Sequence, residues 1–360
     1  MGTSRAAVLN GPNQMTVESI QIPLSSTDDA VIRIEATGLC GSDVDQVKTG
    51  GRIGAVVPGH EPLGLIESIG ADAAERWGVS VGDRVCVEVV VPCHNCRRCS
   101  DGAFSSCENS LGSYGYRPFT ASTQLIGGFA EHMYVHPNSI LHPIDRDLPA
   151  TTAAMFNTVA AGISWAVHLG GVKTGDTVVI FGAGQRGIAA AMASKAAGAS
   201  TVIITGLARD AHKLELSKEF GVDYTVVADV EDVPERIRTL TDGRLADVVL
   251  DLTPLAAQPV QDAIEVVRIG GRIVLAGLKH DKPIPIETDR IVQKGITLVG
   301  ALGVTSAAIR EAIALIESGT YPLEKLHTHT FGLDEVVHAI AVLAGDVAGE
   351  DAVHVAIVPV

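Results

Sequence analysis

Four of the six cysteines in this 360-residue chain fall inside one short stretch, PCHNCRRCSDGAFSSC, as Cys93, Cys96, Cys99 and Cys107. Two-residue gaps let neighbouring thiolates converge on one ion, and a fourth sulfur from farther along closes a tetrahedron. Four sulfurs with no vacant position describe structural zinc. An iron–sulfur cluster can use similarly short spacing, but its final Cys-Pro is absent and the long last gap suits a zinc lobe better. These thiols are expected to hold a loop together and to do no chemistry.

A second donor set is more dispersed. Cys40 sits in GLCGSD, and His60 and Glu61 follow in PGHEPLG. Each motif follows a strand-like run, a loop-end placement that favours function over packing. Thiolate, imidazole and carboxylate together can bind a zinc that keeps one position open. Asp43, three residues past Cys40, is the candidate acceptor for the other His60 nitrogen. Cys86, in DRVCVEV, alternates with valines and reads as core packing.

A third motif concerns phosphate. GAGQRG, comprising Gly182, Ala183, Gly184, Gln185, Arg186 and Gly187, follows the apolar run TVVIF and opens an Ala-rich helix. In that setting a G-x-G-x-x-G loop is a dinucleotide signal: Gly182 allows the tight turn, Gly184 lets backbone approach pyrophosphate, and Gly187 permits close helix–sheet packing. The helix N-terminus adds amides and partial positive charge. An acid at the end of the next strand would bind the ribose diol, yet Gly206 stands there, with Arg209 and Asp210 just beyond. Arg209 leans towards the 2′-phosphate of NADP and Asp210 towards NAD, unless Asp210 simply caps the next helix. The choice stays open at this level. The loops AGLKH (Gly277, Leu278) and GALG (Ala301, Leu302) end successive strands where the nicotinamide carboxamide is expected.

The elements that must position these groups fall into two textures. Up to about Pro149, short runs such as DAVIRIEATGLC, LGLIESIG and GFAEHMYV alternate with Gly and Pro turns, predicting an irregular, mostly antiparallel β domain. Beyond Thr151, apolar strands alternate with helices, predicting a doubly wound parallel sheet, so the fold class is α/β. The closing segment, two helices and the strand AVHVAIVPV, returns to the first domain. With 46% apolar and 19% charged residues the chain reads as a globular protein, long enough for two domains. Its 27 basic and 42 acidic residues leave a net charge of −15, which excludes nucleic acid and anionic membrane as natural partners. No signal-peptide core is present, and polar residues interrupt the longest apolar run, Ala153 to Val172. The expected location is the cytoplasm, where thiols stay reduced and favour metal over disulfides.

Taken together, GLCGSD, GHEPLG, GDRV, the cysteine lobe, GGFAEH and GAGQRG, in this order, resemble the zinc-dependent medium-chain alcohol dehydrogenase family. The resemblance spans essentially the whole chain. It implies a discontinuous GroES-like catalytic domain (1–156 and 303–360) and a Rossmann NAD(P)-binding domain (157–302), with an active site between them and assembly into homodimers or homotetramers. Carried over by position, Cys40 and His60 become catalytic zinc ligands. Glu61 becomes the carboxylate that exchanges with substrate or water, Ser42 the hydroxyl that passes on the alcohol proton, and Asp43 the group that orients His60.

Two departures stand out. Where relatives place a third ligand, Cys or an acid, this chain has Asn157, a neutral and weaker donor. Either Asn157 binds feebly, or Glu61 or water completes the shell, and the catalytic zinc is expected to be lost more readily than the structural one. At the outer end of the proton relay Asp45 replaces a histidine, as a direct acceptor or as a solvated acid. The expected activity is hydride transfer between a small, secondary alcohol or its carbonyl and NAD(P). Alternatives are a polyol or sugar dehydrogenase of the sorbitol or threonine type, suggested by GGRIG after the Cys40 loop, and a non-catalytic nucleotide-binding homologue. Tyr114, Tyr116 and Phe119 either line an apolar pocket or pack beneath a loop. A zinc-free quinone reductase would lack Cys40, His60 and the lobe.

Overall fold

The computed structural model describes residues 2–51, 55–116 and 125–359. GGRIG and Phe119 therefore lie partly or wholly outside the described residues. The chain divides into two compact units, Met1–Asn157 with Thr305–Val360, and Thr158–Val304.

The first unit is organised by a seven-stranded sheet. Its central strand, Ala30–Gly38, is flanked by Pro62–Ile69 on one side and, at different points on the other, by His132–Val135 and the C-terminal strand His354–Ile357. Arg84–Val87 and Leu141–Pro143 extend one edge, and His327–Phe331 closes the other. All pairings are antiparallel except the last, which runs parallel to His354–Ile357. The β-branched runs supply the core: Ile32, Ile34, Ile66, Val85, Val87 and Met133 pack in one cluster. Burial of each such side chain contributes about 1.5–3 kcal/mol. Cys86 lies in that sheet with no exposed surface, and burial raises its pKa well above the ordinary thiol value, as suits a packing residue.

This sheet sets the functional loops. Ala30–Gly38 delivers the chain to Leu39 and Cys40, after which the helix Gly41–Thr49 begins. Asp43 starts that helix well because its Oδ2 accepts the Cys40 N–H at 2.9 Å, satisfying a donor the helix cannot. His60 and Glu61 immediately precede the neighbouring strand Pro62–Ile69, whose register pairs Thr37 with Pro62. Cys40 and His60 thus leave adjacent strand ends.

The second unit holds six parallel strands. In spatial order they are Tyr224–Val227, Thr201–Gly206, Thr177–Phe181, Ala246–Asp251, Val267–Leu275 and Thr297–Gly300, so chain rank runs 3-2-1-4-5-6. This is the dinucleotide-fold order, which bears out the α/β reading of the near-continuous apolar strands. One boundary differs from expectation. The helix Gln258–Val266 ends earlier than PVQDAIEVVRIG suggests, because Val267 already pairs with Ala246 before an irregularity brings Arg272 opposite Val248. The apolar run from Ala153 is helical in pieces, Phe156–Gly162 continuing as a π-helix over Ile163–Leu169. No helix of the described residues is long and apolar enough to cross a membrane.

Candidate active site

The first donor set assembles locally. Within the lobe the Cys93–Cys99, Cys96–Cys99, Cys96–Cys107, Cys99–Cys107 and Cys93–Cys107 sulfurs lie 4.0, 3.5, 3.9, 3.6 and 3.5 Å apart. A tetrahedron of zinc–sulfur bonds has an edge of about 3.8 Å, so these sulfurs already trace the cage a zinc needs. Backbone amides support it: Cys99 N–H points to Cys96 Sγ and Cys93 N–H to Cys107 Sγ. Burial opposes a thiolate at Cys96, but the backbone N–H groups of Cys99 and Glu108 outweigh it and bring its pKa to about 6. The donor chemistry and the spacing both fit a closed zinc site.

The second set assembles from distant segments. One donor atom each from Cys40, His60 and Glu61 falls within 4.8 Å of the others, and all three residues are buried. His60 Nε2 is 3.7 Å from Glu61 Oε1, close to the roughly 3.4 Å between nitrogen and oxygen ligands on tetrahedral zinc. The other ring nitrogen, Nδ1, is 3.1 Å from Asp43 Oδ1, which orients the ring so that Nε2 faces the cluster. Asp43 therefore does two jobs, starting the helix with one oxygen and aiming His60 with the other. Burial works against a proton on His60, yet Asp43, Tyr116 and Cys40 outweigh it and hold its pKa well above the imidazole norm. The site is electrostatically built for a cation.

Asn157 is brought to the same place, but it faces the carboxylate. Its Nδ2 donates to Glu61 Oε1 at 2.7 Å. An ionised carboxylate can only accept, so the amide turns its NH₂ towards Glu61. In this arrangement Asn157 orients a donor. Ser42 donates to Cys40 Sγ at 3.2 Å and accepts from the Tyr116 hydroxyl at 2.8 Å. The Tyr116 ring also packs on His60, with centroids 5.0 Å apart. Burial pushes the Tyr116 pKa up to about 12, so at neutral pH it donates its proton as a phenol. The sequence offered Tyr116 only as an aromatic; its place beside Ser42 depends on a 74-residue separation that no local pattern encodes. Asp45 is half-buried on the Gly41–Thr49 helix, three residues beyond Ser42. Tyr114 is fully buried, its hydroxyl 2.7 Å from Ser139 Oγ, and belongs to the core.

In the second unit the GAGQRG loop leaves the strand Thr177–Phe181 and opens the helix Gln185–Ala196. Gly182 has φ of 109°, in the region a side chain avoids. At Gly187 a Cβ would stand 1.9 Å from Gly182 O, which fixes the need for glycine by close packing. At Gly184 a Cβ would meet nothing within 4 Å, so backbone there is open to a ligand. Gln185 is buried and accepts from Thr158, and Arg186 stacks over the Trp165 ring at 5.3 Å. Gly206 ends the second strand with its Cβ direction already crowded by Ala183 and Leu214. Asp210 uses both oxygens locally, one on Leu207 N–H and one on Lys213. Burial opposes its ionisation, but Lys213 and Leu207 N–H prevail and lower its pKa. Arg209 is exposed. Gly277 packs against Thr253 backbone, Ala301 N–H bonds Leu275 O, and Leu278 and Leu302 stand 72% and 70% exposed at strand ends, apolar surface that a cofactor ring would cover.

With this geometry in place, comparison with known proteins is informative. A family profile described as alcohol dehydrogenase GroES-like domain matches residues 26–146, and one described as zinc-binding dehydrogenase matches 186–318. The "Probable alcohol dehydrogenase adh" of Mycobacterium tuberculosis (strain ATCC 25618 / H37Rv) is 40% identical over 99% of this chain and 98% of its own length. The erythritol/L-threitol dehydrogenase of Mycolicibacterium smegmatis is 30% identical over 99% of this chain and 97% of its own. Among solved structures, a provisionally named zinc-binding dehydrogenase from Sinorhizobium meliloti 1021 bound to NADP is 26% identical, covers 100% of both chains and has a TM-score of 0.87. The chain belongs to the zinc-dependent medium-chain alcohol dehydrogenase family. It is an oxidoreductase that uses zinc and a nicotinamide dinucleotide.

Proposed function

We propose that this enzyme interconverts a small secondary alcohol and its ketone with NADP as the hydride partner. The observation that carries the reading is the convergence of Cys40, His60 and Glu61 donors within 4.8 Å in a buried cluster, a three-donor set that leaves a tetrahedral ion one position for substrate. The unit Met1–Asn157 with Thr305–Val360 supplies the chemistry, and Thr158–Val304 holds the cofactor. When bound, zinc acidifies an alcohol hydroxyl or polarises a carbonyl, and nicotinamide accepts or returns the hydride.

The chain's own residues then have defined tasks. Asp43 keeps His60 aimed, and Asn157 keeps Glu61 aimed. Ser42 Oγ takes the proton an alcohol must lose and gives its own up to Asp45 or solvent, while Tyr116, whose hydroxyl donates to Ser42 Oγ, orients that acceptor. Such a positioned relay contributes about 10²-fold or more to rate. Use of NADP is supported by Gly206 at the strand end, by an exposed Arg209, and by the occupied oxygens of Asp210. Gly182, Gly184 and Gly187 cradle the pyrophosphate, with Gln185 and Arg186 opening the helix behind it.

A polyol is the second reading. The Ser42 and Tyr116 hydroxyls, 2.8 Å apart beside Cys40, can hydrogen-bond further substrate hydroxyls, and one full-length relative is an erythritol/L-threitol dehydrogenase. Homo-oligomer formation through the cofactor unit is supported by the sheet-edge strand Thr297–Gly300 and by exposed Leu298, Ile269 and Val292 nearby in sequence. A cytoplasmic setting is part of the proposal, because the lobe's sulfurs bind metal only when reduced.

The test follows nicotinamide absorbance with matched secondary alcohols and polyols, each with NADP and NAD. Turnover with a secondary alcohol, and kcat/KM about tenfold or more higher with NADP, is expected. Preference for NAD overturns the cofactor assignment; no turnover with any alcohol overturns the reaction.

A further inference from the structure

Behind Glu61, on the C-terminal strand, lies a histidine that none of the tasks above employs. His354 is fully buried, and among the described residues its Nε2 has no hydrogen-bond partner. A buried polar atom in that condition costs stability unless it serves something. Its surroundings say what. Gly38 lies beside both groups: a Cβ at residue 38 would lie 2.7 Å from Glu61 Oε2 and 3.3 Å from His354 Nε2. Carboxylate and imidazole therefore both approach a point that any side chain at residue 38 would fill.

The far side of the ring is tied down. His354 Nδ1 is 2.9 Å from His327 Nδ1, and His327 Nε2 is 2.8 Å from the hydroxyl of exposed Thr330. One proton joins the two Nδ1 atoms. If His354 supplied it, a bare lone pair on Nε2 would face the Glu61 carboxylate. If His327 supplies it, with Thr330 donating to His327 Nε2, His354 presents an N–H to that carboxylate. Electrostatics selects the second arrangement. Burial, with His327 adding to it, lowers the His354 pKa to about 3, so the ring stays neutral.

We propose that His354 is a positioning residue for Glu61: its Nε2–H receives the Glu61 carboxylate when that carboxylate withdraws from the cation, and His327 fixes the tautomer that makes this possible. This rests on Glu61 being a zinc donor. A carboxylate donor that swings off the ion while alcohol and carbonyl exchange at the open position needs a second resting site, and a buried carboxylate finds one only where a donor waits. Asn157 holds Glu61 Oε1, and His354 offers a site for Oε2.

The experiment measures zinc release to a chromogenic chelator from the zinc-loaded enzyme. In His354→Phe the carboxylate loses its resting place off the metal, so the faster-released zinc should leave about tenfold more slowly, with kcat lowered more than KM changes. His354→Gln, which keeps a donor, should restore much of the wild-type rate. In a Glu61→Ala background, His354→Phe should change nothing further, a result that a merely structural role would not give. His327→Leu, at a half-buried position, should shift release in the same direction by less and serves if His354→Phe does not fold. Equal release rates in wild type and variant, or an equal shift without Glu61, overturn the proposal. A wild-type chain holding only one zinc overturns instead the reading on which it stands.

Discussion

The two donor clusters of the first unit make a natural experiment. In the lobe, four like ligands come from fifteen consecutive residues, the sulfurs stand at zinc-cage distances, and no position is left for substrate. In the other, thiolate, imidazole and carboxylate come from two strand ends, an amide arrives from a helix more than ninety residues on, and buried acids surround the imidazole. Local spacing builds the closed cage because entropy of loop closure is small over a few residues. The open site needs the whole sheet to bring Cys40 and His60 together, and its mixed donors leave room for chemistry. One cluster is rigid cargo; the other is poised to exchange a ligand.

Breaking each cluster in turn sharpens that contrast. Cys40→Ser should abolish turnover, by about 10³-fold or more, and lower zinc content by one ion while the lobe keeps its own, as read by turnover and metal analysis. Loss of both ions would show that the clusters are not independent. Ser42→Ala should slow turnover by about 10²-fold with both zincs retained, since Ser42 is a relay and not a ligand. Unchanged turnover would remove it from the proton path. Titrated chelation should strip the Cys40 cluster first, with activity falling in step with the first equivalent of zinc. Tyr116→Phe should cost about tenfold, less than Ser42→Ala because it removes only the hydrogen bond that orients Ser42 Oγ. A larger loss than in Ser42→Ala would show that Tyr116 does more than orient Ser42.

Legibility in the sequence followed the same division. The four lobe cysteines and the glycine loop announce themselves because their partners lie within fifteen consecutive residues, and the positive φ of Gly182 and the tight contact at Gly187 give physical reasons for those glycines. The alternation of apolar strands and helices exposed the parallel sheet, whose boundary near Val267 moved only because a strand pairing overrode helical periodicity. Asn157 could be located only through the family resemblance, and that its amide serves Glu61 became visible only in three dimensions. Tyr116 beside Ser42 and His354 behind Gly38 were beyond reach, since each depends on contacts across much of the first unit. Long-range polar partnerships leave no periodic trace.

Diffraction from crystals at the zinc absorption edge tests the central claim most directly. Two anomalous peaks per chain should appear, one among the sulfurs of Cys93, Cys96, Cys99 and Cys107, the other at bonding distance from Cys40 Sγ, His60 Nε2 and a Glu61 oxygen. An enzyme active with alcohol but showing no second peak there, or showing it on other residues, would contradict the account.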